Sequence, residues 1–425
     1  MRLLREGSAG ASVQLLQLAL NRAGFGPLAV DGRFGPGTRE ALRRFQQSRG
    51  LTPDAVAGPA THRALCPWYT GTLRYRVRPG DTLYALALRY GSGVPAILTA
   101  NPGVRPEDLR PGTLLSIPLP FPVVPTNVAV SSELVRLCLR GLALRYPFLR
   151  TGELGRSVLG RPLQSLCLGR GENRVLYNAA HHANEWITAL VLLRFAEELA
   201  AAYAAGGQIQ GRDAAELLDY ATICLVPLVN PDGVDLVTGD LEGTQALTEA
   251  REIAAAYPRF PFPGGWKANI RGTDLNLQYP AGWEEARAIK ASQGVVSPAP
   301  ADYVGPAPLN APEARAMADF TRRFDPALIL AYHSQGEVIY WKYRDREPAG
   351  SRQIAELFSR LSGYAVEETP YASGFAGYKD WFIQDFDRPG YTVEVGRGVT
   401  PLPLSDFPGI YLQNEGILSL GALVT

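Results

Sequence analysis

The stretch HHANEW at residues 181–186 lies between an apolar run, VLY at 175–177, and a helix-like segment. His182 and Glu185, three residues apart at the start of a helix, can point the same way. Imidazole nitrogens and carboxylate oxygens are zinc ligands, and a catalytic zinc keeps one coordination position open. His181 lies four residues before Glu185, so the spacing leaves both histidines as candidates. The stretch therefore suggests half of a zinc site at the end of a strand.

A second histidine ligand has to come from a very short list, because the chain has only four: His62, His181, His182 and His333. His62 lies far back in a separate N-terminal module. His333 follows the apolar run at 327–332 and opens a polar turn, as His182 does after its own strand. Open α/β sheets place ligand sites at such strand ends, which makes His333 the remote candidate. The alternative is that His182 is a satisfied buried histidine and Glu185 a carboxylate favoured by the helix dipole.

The composition indicates a soluble globular protein with several domains. A length of 425 residues predicts two or three domains, and 46% hydrophobic with 20% charged residues is ordinary for globular chains. A formal net charge of +1 gives no reason to expect nucleic acid or an anionic membrane as partner. No stretch approaches the ~18 apolar residues of a membrane span, and residues 1–7 lack the apolar core of a secretory signal. Nothing in the sequence specifies an oligomeric state.

The four cysteines show no CxxC spacing. Two of them, Cys167 and Cys224, lie inside strand-like apolar runs. This placement favours buried thiols over metal ligands or a disulfide framework.

Residues 1–68 contain an internal echo, in which DGRFGPGT at 31–38 returns loosely as DAVAGPAT at 54–61. Each copy predicts a tight turn that leads into a helix, with a threonine available as cap. Together with the preceding amphipathic stretch this predicts a small three-helix unit. The pattern resembles the peptidoglycan-binding domain attached to many cell-wall hydrolases, and the resemblance implies peptidoglycan as partner.

Residues 72–119 predict a β-α-α-β module, since apolar periodicity changes from strand to helix and back. The motifs GDTL at 80–83, NP at 101–102 and IP at 117–118 resemble the LysM domain, whose family binds glycans that contain N-acetylglucosamine. Residues 120–126 are rich in proline and predict a stiff extended linker.

Residues 127–425 alternate between helical and strand-like runs, which predicts one large α/β domain with a central mixed sheet flanked by helices. Helices are expected at about 131–145 and 187–204, and strands at 163–168, 174–180 and 221–229. Glu394 lies in the strand-like stretch YTVEVG at 391–396. Its side chain is expected on the opposite face of that strand from those of Val393 and Val395. A carboxylate there is costly unless it is paired or functional.

The motif order HxxE, NPDG at 230–233, DLN at 274–276, His333-Ser334 and Glu394 resembles the carboxypeptidase A-like family of zinc metallopeptidases over essentially all of residues 126–425. The resemblance selects His182 over His181. It implies one zinc held by His182, Glu185 and His333, with Glu394 as catalytic acid and base. It also implies that Tyr371 hydrogen-bonds substrate and that Asn276 helps to position it.

Four positions bear on oxyanion stabilisation and on substrate specificity. Lys267 stands where the family usually has an arginine that stabilises the oxyanion. Lysine keeps the positive charge but lacks the paired N–H donors of arginine, and Arg271, four residues on, is the candidate to supply part of them. Leu277 stands where the exopeptidases have an arginine that grips the free C-terminal carboxylate of their substrate. Lys379 is one of only four lysines among 42 basic residues, and it is either a partner for an acid on the substrate or a solvated surface cation.

The resemblance implies a zinc peptidase similar to the γ-D-glutamyl-diamino acid endopeptidases of this family, which act on diaminopimelate or lysine in peptidoglycan stems. Two alternatives stay open: a carboxypeptidase that trims wall peptides from the C-terminus, and a non-catalytic wall-binding protein. The expected location is the cell wall or a spore, with the cytoplasm as the alternative.

Overall fold

The computed structural model describes residues 1–424 and divides into two compact units, Met1–Arg150 and Thr151–Thr425. Within the described residues, no helix has the length and apolar character needed to cross a membrane.

The N-terminal unit begins with helices and continues with the β-α-α-β module. Its elements are, in order, α1 (Ala11–Arg22), α2 (Pro36–Ser48), α3 (Pro59–Thr70), β1 (Thr72–Arg76), α4 (Leu83–Tyr90), α5 (Val94–Ala100), a 3-10 turn (Pro106–Asp108), β2 (Leu114–Pro118) and α6 (Ser132–Arg145).

The internal echo corresponds to two loops that are held in the same way. In the first loop, the side-chain amide nitrogen of the buried Gln17 lies 2.8 Å from Asp31 Oδ1 and 3.2 Å from Thr38 Oγ1. The Gln17 carbonyl oxygen accepts a hydrogen bond of 3.0 Å from the backbone nitrogen of Gly32. One buried glutamine therefore holds the whole turn before α2.

The second loop repeats these contacts with Gln46 in place of Gln17. The Gln46 amide nitrogen lies 2.8 Å from Asp54 Oδ1 and 3.2 Å from Thr61 Oγ1, and its carbonyl oxygen accepts 2.9 Å from Ala55 N. The loose sequence echo therefore corresponds to a precise structural repeat.

Replacing Gln46 with leucine should destabilise the N-terminal unit by about 2 kcal/mol, because the Ala55 amide and the Asp54 carboxylate lose a buried partner. Hydrogen–deuterium exchange of the full chain would show this as faster exchange in residues 54–61. Gln47→Leu is the matched control, since Gln47 is exposed on the same helix. Equal protection in both variants would contradict this role for Gln46.

The LysM-like module has the predicted order of elements. Strands β1 and β2 pair antiparallel, with Tyr75 opposite Leu115. Thr82 caps α4 by accepting a hydrogen bond of 3.1 Å from Ala85 N, and α4 ends at Gly91, whose φ of 64° suits glycine.

The compact N-terminal unit extends to Arg150, beyond residue 127 where the peptidase domain is expected to begin. Helix α6 packs against α3, and Gly141 allows this because a Cβ there would approach the Thr70 carbonyl oxygen too closely. The separate boundaries at residues 68, 119 and 126 stay predictions.

The C-terminal unit alternates strands and helices. Its elements are β3 (Arg150–Arg156), β4 (Pro162–Leu168), β5 (Asn173–Ala179), a 3-10 turn (Ala183–Glu185), α7 (Ile187–Ala204), β6 (Gln208–Ile209), β7 (Arg212–Asp213), α8 (Ala214–Tyr220), β8 (Ala221–Val226), α9 (Pro231–Val237), α10 (Gln245–Ala255), a 3-10 turn (Leu275–Leu277), α11 (Trp283–Ser292), α12 (Pro312–Phe324), β9 (Leu328–His333), β10 (Val338–Tyr340), α13 (Ser351–Ser362), β11 (Ala365–Glu367), a 3-10 turn (Tyr371–Ser373), α14 (Tyr378–Phe386), β12 (Gly390–Glu394), a 3-10 turn (Leu404–Asp406) and α15 (Phe407–Gly421).

The large sheet has the strand order β11-β10-β12-β9-β5-β8-β4-β3. Strands β8, β5, β9 and β12 run parallel at its centre, whereas β4 and β10 join antiparallel. Residues of β8 and β9 are buried along their whole length, as expected for parallel strands covered on both faces. The predicted α/β class with a mixed central sheet is confirmed.

The cysteine prediction is wrong for one pair. Cys167 of β4 and Cys224 of β8 form a disulfide, whereas Cys66 and Cys138 stay thiols. The two bonded residues are direct partners across the antiparallel strand pair, with Cα atoms 4.1 Å apart. Strand register therefore brings together two thiols that are 57 residues apart in sequence.

Candidate metal centre and active site

The candidate ligands lie where two central strands end at the same edge of the sheet. His182 follows β5 and Glu185 closes the 3-10 turn after it, while His333 is the last residue of β9. Strands β5 and β9 are parallel neighbours, with Ala179 opposite Tyr332. The carboxyl ends of parallel strands form the usual ligand edge of an α/β sheet, and this edge carries all three candidates.

The three side chains converge on one point. Nδ1 of His182 lies 2.9 Å from Glu185 Oε1 and 3.3 Å from Nδ1 of His333, which in turn lies 3.0 Å from Glu185 Oε2. Ligand atoms arranged tetrahedrally around zinc at ~2.0–2.1 Å would be about 3.3 Å apart. The two imidazoles and the carboxylate therefore fit a single zinc ion in both donor type and spacing.

A second carboxylate orients the first histidine. The other ring nitrogen of His182, Nε2, donates to Asp274 Oδ1 at 3.1 Å. Zinc-bound histidines commonly donate their free N–H to a carboxylate, which fixes the tautomer and the ring orientation. Asp274 thus directs Nδ1 of His182 toward Glu185 and His333.

The charges of the centre favour a bound cation. Burial lowers the pKa of His182, but the carboxylates of Glu185 and Asp274 outweigh burial and raise that pKa to about 10. Burial raises the pKa of Glu185, whereas His182 and Lys267 hold it well below its usual range. Burial lowers the pKa of His333, which keeps its imidazole neutral. Zinc binding would release the proton that His182 attracts.

His181 serves the core instead of the metal centre. It is fully buried, and its Nε2 lies 2.9 Å from the hydroxyl of Tyr279. Its ring stacks on His333 at 5.8 Å between centroids. Of the two adjacent histidines, it is His182 whose ring nitrogen lies with Glu185 and His333 in a group that could hold a metal ion.

Asp274→Asn should weaken zinc binding by about 10–100-fold, the range measured for outer carboxylates that orient histidine ligands. An asparagine keeps one acceptor oxygen, but it replaces the other with an N–H₂ group where Asp274 also accepts from Asp302 N. Competition with a zinc chelator would measure the change. Asp345→Asn, at an exposed position, is the control, and equal affinities in the two variants would exclude this role for Asp274.

Glu394 ends the strand beside β9. In the register of β12 with β9, Glu394 is the partner of His333. Burial, and then the negative charge of Glu185, raise the pKa of Glu394 to about 8. A carboxyl group with such a pKa can accept and return a proton near neutral pH.

Lys267 is the cation beside the ligands. Its Nζ lies 3.3 Å from Glu185 Oε1, and its side chain is 37% exposed. Burial lowers the pKa of Lys267, but Glu185, Asp274 and Glu394 overcome this effect and raise it, so the ammonium is charged at neutral pH.

The site opens into a cavity of about 230 Å³. Its lining combines the catalytic candidates with three lysines and several acids: His182, Lys267, Asp274, Asn276, Leu277, Lys290, Asp302, Tyr340, Thr369, Pro370, Ser373, Gly377, Lys379, Asp380, Thr392 and Glu394.

The three residues predicted to contact the substrate do not all line the cavity. Asn276 lines the cavity, and its Oδ1 accepts a hydrogen bond of 3.0 Å from Tyr378 N. Tyr371 is 75% exposed and packs edge-on against Phe375, on a turn whose neighbours line the cavity. Arg271 is exposed and is not part of the lining. The substrate roles of these three residues stay predictions.

Lys379 lies inside the cavity and is only 3% exposed. The alternative of a solvated surface cation is therefore wrong. Its neighbour Asp380 also lines the cavity and was not singled out from the sequence.

Two further residues of the site were not predicted from the sequence. Asp274 stood in a recognised motif, but its partner histidine lies 92 residues away in sequence. Asn230 belongs to the NPDG motif at 230–233, for which the sequence indicated no role. Its buried amide nitrogen donates to the carbonyls of His181 (3.1 Å) and Ala268 (3.0 Å), so it ties the ligand loop to the loop that carries Lys267.

Comparison with known families agrees with this organisation. Residues 136–407 match the M14 peptidase family, described as zinc carboxypeptidase. Residues 9–65 match a peptidoglycan binding domain, and residues 75–118 match the LysM domain. These two matches indicate peptidoglycan as partner and an association with the cell wall.

Two bacterial relatives cover most of the chain. The γ-D-glutamyl-L-diamino acid endopeptidase 1 of Lysinibacillus sphaericus is 44% identical over 283 residues, which cover 67% of this chain and 69% of that protein. The uncharacterized protein YqgT of Bacillus subtilis (strain 168) is 40% identical over 277 residues, covering 64% and 72%.

A solved structure has the same fold. Bovine thrombin-activatable fibrinolysis inhibitor, in complex with tick carboxypeptidase inhibitor, matches with a TM-score of 0.53 at 20% identity, covering 70% of this chain and 97% of that chain. The family match spans more than half of the chain and includes the candidate ligands described above. The chain therefore belongs to the M14 family of zinc carboxypeptidases and is a zinc peptidase with peptidoglycan-binding and LysM domains.

Proposed function

We propose that this protein hydrolyses the bond between γ-D-glutamate and the diamino acid, diaminopimelate or lysine, in peptidoglycan stem peptides. The observation that carries the proposal is Leu277, an apolar side chain in the cavity beside the zinc ligands. An apolar group cannot pair with the free C-terminal carboxylate that carboxypeptidases grip, so cleavage within a stem is favoured over trimming of its end. The 44% sequence identity to the γ-D-glutamyl-L-diamino acid endopeptidase 1 of Lysinibacillus sphaericus supports the same substrate.

The chemistry follows from the groups around the metal centre. His182, Glu185 and His333 would hold zinc, which acts as a Lewis acid and promotes the ionisation of water. Glu394 takes a proton from the attacking water and returns it to the leaving amine. The charged ammonium of Lys267, 3.3 Å from Glu185, supports a role in stabilising the oxyanion, an effect worth about 3 kcal/mol per donor in other enzymes.

Substrate positioning rests on the lining of the cavity. Asn276 and Tyr371 would contact the peptide, with Tyr371 reaching it from the exposed turn at the cavity's edge. Arg271 would contribute only if its loop approaches the bound peptide. The two wall-binding domains would raise the effective concentration of stem peptides near the site, whether in the vegetative wall or in a spore.

The direct test uses the tripeptide L-Ala-γ-D-Glu-diaminopimelate and mass analysis of its products. Release of L-Ala-D-Glu and free diaminopimelate from the zinc-loaded protein is expected. In a tetrapeptide with a further D-alanine, the expected products are L-Ala-D-Glu and the diaminopimelate dipeptide. Release of D-alanine alone would instead favour a C-terminal trimming enzyme, and no cleavage of either peptide would refute the proposal.

Leu277→Arg should increase release of the terminal D-alanine from the tetrapeptide, because the arginine can pair with the C-terminal carboxylate of that peptide. One charge-assisted contact is worth about tenfold in rate or more, so trimming of the terminal residue should rise by at least about that factor. Release of the C-terminal amino acid measures the gain. Leu277→Met keeps the cavity apolar and serves as the control. No gain in the arginine variant would count against Leu277 as the reason for endopeptidase action.

A further inference from the structure

A buried pair of opposite charges lies in the same cavity as Glu394. Lys379 and Asp380 are consecutive residues in the first turn of α14, and they are 3% and 2% exposed. Lys379 Nζ lies 2.7 Å from Asp380 Oδ1. The cavity that contains the reacting groups therefore also presents a cation and an anion side by side.

The contacts of this pair leave one carboxylate oxygen of Asp380 able to accept a further hydrogen bond. Lys379 Nζ donates to the Lys342 carbonyl oxygen at 2.7 Å and to Thr369 Oγ1 at 3.1 Å. Asp380 Oδ1 accepts no well-oriented hydrogen bond, although it lies close to Lys379 Nζ. A buried carboxylate with an unused lone pair is a strong acceptor for any donor that enters the cavity.

Stability alone does not account for the pair. A buried ion pair often adds little to stability compared with apolar residues of similar size, because desolvation offsets the attraction. Lysine is also rare in this chain, at four of 42 basic residues, and three of the four line this one cavity. Lysine carries a compact ammonium, whereas arginine carries a larger planar guanidinium. The lysines of this chain are therefore concentrated around this cavity.

We propose that Lys379 and Asp380 form a subsite for a zwitterion, an ammonium and a carboxylate on the same carbon. Asp380 accepts from the ligand's ammonium, and Lys379 donates to its carboxylate after releasing the hydroxyl of Thr369. The inference rests on the proposed function, since the far end of the diaminopimelate side chain is such a zwitterion. A lysine side chain ends in an ammonium alone and engages only Asp380. The pair therefore selects diaminopimelate stems.

The test compares three tripeptides that end in diaminopimelate, in diaminopimelate with an amidated side-chain carboxylate, or in lysine. The zinc-loaded full chain should cleave the first with kcat/KM about 10- to 100-fold higher than the other two, mainly through KM, as expected from one charge-assisted hydrogen bond. Equal cleavage of the three at the γ-glutamyl bond would overturn the subsite and leave the proposed function intact. Absence of cleavage at that bond in all three would overturn the proposed function.

Two substitutions separate the roles of the pair. Lys379→Met should slow only the diaminopimelate peptide, to the level of the amidated one, whereas Asp380→Asn should weaken all three, which share the ammonium. Lys342→Met is the matched control, because that side chain pairs with Glu347 and Glu368 and lies outside the lining. The control should keep the wild-type preference, and a Lys379→Met variant that also keeps it would overturn the inference.

Each single substitution leaves one buried charge without its partner, which can disturb folding. A double variant avoids this problem. Lys379→Met with Asp380→Asn removes both charges, and it should bind zinc while losing the preference for diaminopimelate. Calorimetry on the full-length Glu394→Gln protein measures binding of the three peptides without turnover. Tighter binding of the diaminopimelate peptide supports the subsite, and equal binding contradicts it.

Discussion

Glu394→Gln should lower kcat by about 10²- to 10⁴-fold on the stem peptide, the usual contribution of a general acid or base. Glutamine preserves the size of the side chain at the end of β12 but cannot take a proton from water. Zinc content should stay at the wild-type level, because Glu394 is not one of the three proposed ligands, His182, Glu185 and His333. The loss would then belong to proton transfer and not to the metal.

Steady-state kinetics and metal analysis on the same preparation measure both quantities. Glu367→Gln makes the same change at an exposed position of β11 and should retain full activity. Wild-type turnover in Glu394→Gln would remove Glu394 from the mechanism. Loss of zinc together with turnover would instead assign it a role in holding the metal.

His333→Ala should abolish both zinc binding and turnover. His333 is one of the three proposed ligands and ends β9, so its removal leaves only His182 and Glu185, which both follow β5. The loss of affinity should exceed the ~10–100-fold cost of removing an outer carboxylate. Equilibrium dialysis against zinc measures it directly.

Removing the metal from the wild-type protein should reproduce this loss and lower its thermal stability. A ligand present at 100 times its dissociation constant stabilises the folded state by about 2.7 kcal/mol. Chelation should therefore lower the unfolding temperature of the wild type and leave that of His333→Ala unchanged. His62→Gln, a change in the N-terminal unit, should keep zinc. Full zinc occupancy in His333→Ala would contradict the proposed ligand set.

Elements with sustained apolar periodicity were predicted to within a residue or two. The helix expected at 187–204 is α7, and the helix expected at about 131–145 is α6 at Ser132–Arg145. The strand expected at 221–229 ends earlier, at Val226. Pro227 follows it and lacks the N–H that a ladder requires, so the apolar run outlasts the strand.

Features that depend on strand register or on distant partners were not visible in the sequence. The disulfide joins Cys167 to Cys224 only because β4 and β8 pair in one particular register. Asp274 becomes part of the centre only when its loop meets His182. Burial of Lys379 depends on packing around α14, which composition and spacing do not report.

The family resemblance supplied what periodicity could not. Spacing alone left His181 and His182 equivalent, and the structure separates them by their partners, Tyr279 for one and Glu185 for the other. The departures at Lys267 and Leu277 were visible in the sequence, whereas their positions around one cavity required the fold.

The most direct measurement is an anomalous difference map recorded at the zinc absorption edge from crystals of the full-length protein. The expected result is a single strong peak enclosed by His182, Glu185 and His333, with Glu394 facing it. A map without a peak between these side chains, or with its strongest peak elsewhere, would contradict the account.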